Sequence, residues 1–412
     1  MKRSARVTDD EIKLRLLAMI VPKHDAFHAS LSPQAWETLC AIAEQYRLGP
    51  ILHHNAGHVS GTCDIPDIVR QRWHASYRDW ALRALSARST LVRIASMLDC
   101  GGIAYAALKG AWLAWHAYPQ VALRPMRDLD ILVERADILR AYELLLDAGL
   151  ERTSTDPTLI AYALDHNKHL PGLRDPISGC YVELHCRIAH EGPSAPLDST
   201  RVLASRFFES LNGATIAYLS PTNTLLHLIV HSAYDHRFDN GPQILTDIAI
   251  LTERPDIDWD WFWDAAKRGD WERGCLLLLR LCHDFYGNPI IRWEQQEKIQ
   301  IPTEIQNEAA MLMLQDPSKR RDLSVRISLS EPSLDGLWRQ ISRRLLVPSH
   351  VISSFSGMRK SGKCVWIFYP LWLVSKAVRT LVGLFSKQQR REVRRAIAVD
   401  HWLADAEEAR IL

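Results

Sequence analysis

The chain has 412 residues, with 50 Lys and Arg against 48 Asp and Glu, a net charge of +2 and 47% hydrophobic residues. That length is too great for one small core and calls for two or three packed units of ordinary globular composition. The near-neutral charge argues against bulk electrostatic capture of nucleic acid, and eight cysteines without a Cys-x-x-Cys argue against a zinc ribbon or a redox pair.

The apolar run from Leu16 to Val21 is too short for a signal peptide, so a reducing cytoplasm is the expected compartment. Residues from about Asp9 to Leu98 read as a helical N-terminal unit. Ser32-Pro33 is a helix-start signal, and Trp36, Leu39, Ile42 and Ala43 follow at helical spacing. His53, His54 and His58 are expected in a Gly-containing loop. No carboxylate or cysteine accompanies them at ligand spacing, so they read as ordinary polar residues. From Ile68 to Leu98 a long amphipathic helix carries Trp73, Tyr77, Trp80, Ala84 and Leu91 on one broad stripe, a core pattern.

Gly101-Gly102 ends that helix. Ile103 to Leu108 then reads as a buried strand, Trp112 to Tyr118 as a short helix, and Asp128 to Val133 as a second strand. An amphipathic helix with Ile138, Tyr142, Leu145 and Leu146 follows and stops near Gly149. Side chains alternate along a strand, so Asp128 and Asp130 share one face while Leu129 and Ile131 enter a core. Two carboxylates so placed repel each other unless a cation lies between them, and oxygen ligands suit a hard divalent ion such as Mg²⁺. Lys109-Gly110 just upstream offers a cation and a close backbone approach, both suited to phosphate.

Period two in Tyr181 to Arg187 puts Glu183, His185 and Arg187 on one face and Val182, Leu184 and Cys186 on the other. An acid centred on an apolar strand needs a partner. A metal shared with Asp128 and Asp130 would serve; the alternative is a structural pair with His185 or an arginine. From Pro221 the chain is helical again. His227 and His231, four apart, share a face, and Asp247 lies on a later helix. The Glu of a zinc-protease motif is absent, because residues 228 and 229 are Leu and Ile. These histidines are therefore expected to hydrogen-bond Asp235, Asp247 or a neighbouring loop, with a zinc hydrolase as the rival.

The tail is mixed. Lys376 and Arg379 interrupt the apolar stretch from Cys364 to Phe385, which excludes a spanning helix. Basic residues flank that stretch on both sides (359–395). They read as a solvated basic face, with weak contact to a membrane surface or a partner as the alternative.

On Leu108-Lys109-Gly110, Arg124, Asp128-x-Asp130 and Val182-Glu183-Leu184-His185, the chain resembles the uncharacterised bacterial nucleotidyltransferases related to the DNA polymerase β superfamily. The similarity runs from the N-terminal helices through the His227–Asp247 region. The resemblance implies an α+β fold: a small mixed sheet, about 99–215, flanked by helical units over 1–98 and 216–330, with a tail over 331–412. It further implies one or two Mg²⁺ ions held by Asp128, Asp130 and Glu183. Lys109, Gly110, Arg124 and Arg127 would bind the nucleotide, and His185, His227, His231 and Asp247 would support the site. Lys109-Gly110-Ala111 stands where the superfamily more often has Gly-Ser or Gly-Gly, so the phosphate grip is expected to use the Lys109 ammonium. The implied activity is transfer of a nucleoside monophosphate from an NTP to a small molecule, peptide or protein. The alternatives are a non-catalytic binding protein of the same fold and another phosphoryl or glycosyl transfer at the same site.

Overall fold

The computed structural model describes residues 7–21, 27, 31–58, 64–154, 158–189, 195–287, 299–315, 368–375 and 387–404. Contacts divide the chain into two compact units, Met1–Ile301 and Pro302–Leu412.

Among the described residues the first unit opens with the helices α1 (Asp9–Met19), α2 (Pro33–Gln45), α3 (Gly49–Gly57) and the long α4 (Asp67–Cys100). Thr8 and Glu11 form a reciprocal capping box on α1, and the Ser32 side chain accepts from the Ala35 N–H at the start of α2. His53 and His54 lie within α3 rather than in a loop, because Gly49-Pro50 starts a helix before them. The His53 ring rests beside His74 and Tyr77 of α4, at 5.0 and 5.4 Å between centroids.

The end of α2 positions a later functional residue. Leu48 N–H donates to Ala43 O (2.8 Å) and Arg47 N–H donates to Glu44 O (3.1 Å), the paired bonds of a Schellman closure. Arg47 occupies its left-handed position, with φ of 59°. Glycine is the default there, since an L side chain in that conformation costs roughly 1–2 kcal/mol.

A mixed sheet follows: β1 (Tyr105–Ala107), β2 (Asp128–Val133), β3 (Glu151–Arg152), β4 (Leu173–Arg174), β5 (Tyr181–His185), β6 (Phe207–Leu211) and β7 (Ala214–Tyr218). The spatial order is β3-β4-β5-β2-β1-β7-β6. β2 runs antiparallel to β1 and parallel to β5, and β1 runs parallel to β7. Leu129, Ile131, Val182 and Leu184 are buried. β6 and β7 form a hairpin through Asn212-Gly213, both at positive φ, the pair favoured in a two-residue turn.

Between β1 and β2 the expected short helix is only one turn of α-helix, α5 (Gly110–Trp112). It widens into a π-turn over Leu113–Ala117, closed by Tyr118 N–H on Leu113 O. Tyr118 precedes Pro119 and is extended, which stops the helix there. α6 (Ile138–Asp147), α7 (Thr158–His166) and α8 (Ser199–Ala204) connect later strands. After the sheet come α9 (Pro221–Val230), continued by a π-turn over His231–Asp235, then α10 (Gln243–Thr252), α11 (Trp259–Arg268) and α12 (Glu272–Tyr286).

In the second unit, α13 (Thr303–Leu312) packs on the helix Lys387–Ala404. Arg395 is buried there and pairs with Glu308, so this basic position belongs to packing and not to a solvated face. Residues 359–367 and 376–386 of the basic and aromatic tail lie outside the described residues. Among the described residues, no helix is long and apolar enough to cross a membrane.

A buried polar knot ties α4 to the β4–β5 loop. Asp175 accepts from Thr90 Oγ1 (2.7 Å), Ser178 Oγ (2.6 Å) and the Ile177 N–H (3.0 Å), and it pairs with Arg93 at 2.8 Å. Burial alone would raise the Asp175 pKa, but the bonds from Ser178, Thr90 and Arg93 hold it well below the usual carboxylate range. A depressed carboxylate stabilises the fold above its unfolded pKa, and that contribution is lost as pH falls toward the folded value. Asp175→Asn should therefore cost about 2–3 kcal/mol at neutral pH in chemical denaturation. The difference from wild type should shrink below about pH 4, where the wild-type carboxylate begins to lose its advantage.

Candidate active site

The site is built on the parallel pairing of β2 with β5. Its register sets Asp128 beside Tyr181, Asp130 beside Glu183 and Leu132 beside His185. Parallel neighbours in register project to the same side, so Asp130 and Glu183 lie next to each other. Asp130, Glu183 and His185 each offer a ligand atom within 4.8 Å of the others'.

β1 ends at Ala107, and Leu108 N–H donates to Asp130 O at 2.9 Å. The chain then turns over the acids. Lys109 takes a φ of 47° and its Nζ reaches Asp130 Oδ2 at 2.7 Å. A non-glycine residue in that conformation stores strain, a property concentrated at functional sites. Gly110 is closely approached by side chains: a Cβ there would lie 2.9 Å from Met126 Cγ and Sδ and 3.3 Å from an Arg124 guanidinium nitrogen, so a larger residue would displace them.

The other oxygen of Asp130 lies 3.2 Å from His185 Nε2, which is also 3.6 Å from Glu183 Oε2. Burial would raise the Asp130 pKa, yet Lys109 and His185 together hold it well below the usual range. Burial would lower the His185 pKa, but Asp130 and Glu183 raise it, which favours imidazolium. Glu183 is pushed up by burial, but the His185 contact and nearby His169 bring it below its ordinary value. Asp128 feels Lys109 and Arg127, but they do not outweigh what opposes its charge. Burial raises its pKa first, and the charges of Asp130 and Glu183 raise it further. A half-buried carboxylate destabilised by two others is a place for a cation. Asp130 and Glu183 offer hard oxygen donors that suit Mg²⁺, with His185 the third group in reach, while Asp128 lies outside that group and is tied to it through its charge.

Lys109, Gly110, Arg124, Arg127, Asp128, Asp130, Glu183, His185, His227, His231 and Asp247 all border one cavity of about 660 Å³. They do not all face it in the same way. Arg124 Nε donates to both oxygens of Asp247, at 2.8 and 3.0 Å, and Tyr118 Oη donates to Asp247 Oδ1 at 2.6 Å. Asp247 thus meets Arg124 and not the histidines. His231 Nδ1 lies 3.2 Å from Asp235, which also pairs with Lys168 at 2.5 Å. His227 is buried, and its Nδ1 has no hydrogen-bond partner among the described residues. Burial, with Lys109 nearby, drives the pKa of both His227 and His231 well below the usual histidine range, so both are neutral near pH 7.

The wall includes residues that sequence pattern does not single out. Lys168 and His169 arrive because residues 168–170 run antiparallel to the end of β5, with Leu170 N–H on Leu184 O and Cys186 N–H on Lys168 O. Arg47 arrives from the α2–α3 turn. Neither segment carries a strand or motif signal of its own.

The mixed sheet matches the fold expected of a nucleotidyltransferase, and it carries an acid pair on β2 beside an acid on its parallel neighbour β5. Comparison with known proteins agrees: the chain belongs to the family described as uncharacterised nucleotidyltransferase, whose model matches residues 32–287. Among solved structures it is similar to an antigenic nucleotidyltransferase-like protein from Paracoccidioides brasiliensis. The identity is 18%, over 46% of this chain and 91% of that one, with a TM-score of 0.28. No curated protein matches the chain.

Removing Arg124 would strand a nearly buried Asp247. Arg124→Met should cost about 3–5 kcal/mol in thermal or chemical denaturation. The double variant Arg124→Met/Asp247→Leu should recover most of that loss.

Proposed function

We propose that this protein transfers a nucleoside monophosphate from an NTP to a hydroxyl or phosphate acceptor, with release of pyrophosphate. The observation that carries the reading is the β2–β5 register, which sets Asp130 beside Glu183 with Asp128 one alternation away on the same strand face. One or two Mg²⁺ ions held by Asp128, Asp130 and Glu183 would polarise the phosphoryl oxygens and lower the acceptor pKa.

The chain's own groups divide the remaining work. The new bond forms between the acceptor oxygen and the α-phosphorus, and the bond from that phosphorus to the bridging oxygen breaks. Glu183 is the base in this reading. Its carboxylate is kept ionised by His185 and His169, so it is ready to take the acceptor proton. Lys109 sits on Asp130 and would stabilise charge growing on the phosphoryl oxygens as substrate enters. Arg127, exposed at the cavity edge, would meet the pyrophosphate portion. Arg124 is a positioning residue: its bonds to Asp247 hold α10 against the turn that leads into β2.

The acceptor would occupy the side of the cavity lined by Lys168, His231 and Asp235, close to Glu183 and His169. Neutral imidazoles and a paired lysine make a polar, weakly charged wall suited to a small molecule or a peptide or protein side chain, more than to a long nucleic acid. All described cysteines are free thiols, consistent with work in the cytoplasm.

The test is to incubate the purified protein with each labelled NTP, Mg²⁺ and candidate acceptors, following pyrophosphate release and the mass of the modified product. Release with an added nucleoside monophosphate is expected, and Asp128→Asn should lower it by at least a hundredfold while leaving the melting temperature at or above that of wild type. An active Asp128→Asn variant would move the site elsewhere. An added phosphate in place of a nucleotide would replace this reading with kinase-type transfer.

A further inference from the structure

The arginines of the cavity are not equivalent. Arg124 is committed to Asp247. Arg47 and Arg127 have no hydrogen bond or ion pair from their guanidinium groups to any described residue, although both border the cavity. Arg47 is partly buried, and its electrostatic neighbours are Arg127, Arg124 and Asp128. Burial and the two like charges lower its pKa to about 10. Asp128 is the one carboxylate among the neighbours of Arg47, so the cations gathered there outnumber it, and the planar fork of arginine matches phosphate oxygens.

The backbone at Arg47 points the same way. It closes α2 in the left-handed position that glycine or asparagine fills at lowest cost. The neighbouring Tyr46 ring lies against Gly241, where a Cβ would come within 2.6 Å of it, so the turn is packed against the loop before α10. Local preference is broken at a rigidly held turn whose side chain borders the cavity. Such breaks concentrate at functional positions.

We propose that Arg47 and Arg127 form a clamp for the β- and γ-phosphates of the NTP, with Arg47 supplied by the helical segment that precedes the sheet. The clamp rests on the transfer reading above and adds to it a requirement for a polyphosphate tail. The arginines neighbour Asp128, whereas His231 neighbours Lys109 and Asp130. The tail therefore lies on the Asp128 side of the acids, and the acceptor lies on the histidine side.

The experiment uses the full chain with Mg²⁺ and measures affinity for ATP, inorganic tripolyphosphate and AMP, together with thermal melting. Arg47→Gly relieves the left-handed backbone, so it should melt at or above the wild-type temperature. It should bind ATP and tripolyphosphate at least tenfold more weakly and leave AMP affinity unchanged. Arg47→Asn, which also tolerates that conformation, should behave alike, and Arg47→Lys should restore part of the loss. Unchanged ATP and tripolyphosphate affinity in Arg47→Gly and Arg47→Asn overturns the clamp but leaves the transfer reading in place. An equal loss for ATP and AMP also overturns it, since the side chain would then act on the nucleoside end or on folding. A wild-type protein that binds neither ATP nor tripolyphosphate overturns the transfer reading itself, and the clamp with it.

Discussion

Three carboxylates on one face of two central strands, one buried and two half-buried, are the constraint around which the rest of this molecule is arranged. Asp128, Asp130 and Glu183 repel one another, and the fold balances them incompletely. Asp130 is balanced from both sides, by the Lys109 ammonium on one oxygen and His185 on the other. Glu183 shares His185 with Asp130 and has His169 nearby. Asp128 remains raised, so the shortfall of positive charge falls at one place. A divalent cation brought there by a triphosphate would relieve that shortfall, because the ion and its ligand arrive as a partly neutralised pair.

The helices outside the sheet read as the means of keeping this arrangement rigid. The Arg124–Asp247–Tyr118 cluster joins the turn before β2 to α10, so the acid-bearing strand enters the sheet from a braced loop. The π-turn after α9 carries His231 and Asp235, and Asp235 holds Lys168 on the segment bridged to β5. Such widened turns often accompany function because the extra residue re-aims side chains at the cost of regular hydrogen bonding. The strained backbone at Lys109 and Arg47 belongs to the same pattern. In both cases a cationic side chain borders the cavity from a conformation that glycine would occupy more cheaply.

Much of this was legible from the sequence because it depends on short-range periodicity. Alternation around Asp128-Leu129-Asp130 and Val182-Glu183-Leu184 is enough to put the acids on one side and the aliphatic residues in the core, and both strands are where that alternation sets them. What periodicity cannot supply is partnership at a distance. Arg124 meets Asp247 across 123 positions, and nothing local distinguishes it from the exposed Arg127. Lys168 and His169 reach the cavity only through an isolated bridge to the end of β5, without a strand pattern to announce it. Arg47 lies in a helix–helix turn far upstream of the acids. Its one local clue is the lack of a glycine where α2 closes, which has meaning only once the closure is seen. His53 and His54 illustrate the opposite error: histidines near a glycine suggested a loop, while Gly49-Pro50 was the stronger, helix-starting signal.

The central claim is that Asp128, Asp130 and Glu183 together hold a divalent ion next to a bound triphosphate. Anomalous diffraction from crystals grown with Mn²⁺ and a non-hydrolysable NTP analogue tests it most directly. The account predicts one or two manganese peaks bonded to oxygens of these three side chains and of the nucleotide phosphates. Manganese bound instead at His227 and His231, or a nucleotide seated away from the acids of β2 and β5, would contradict it.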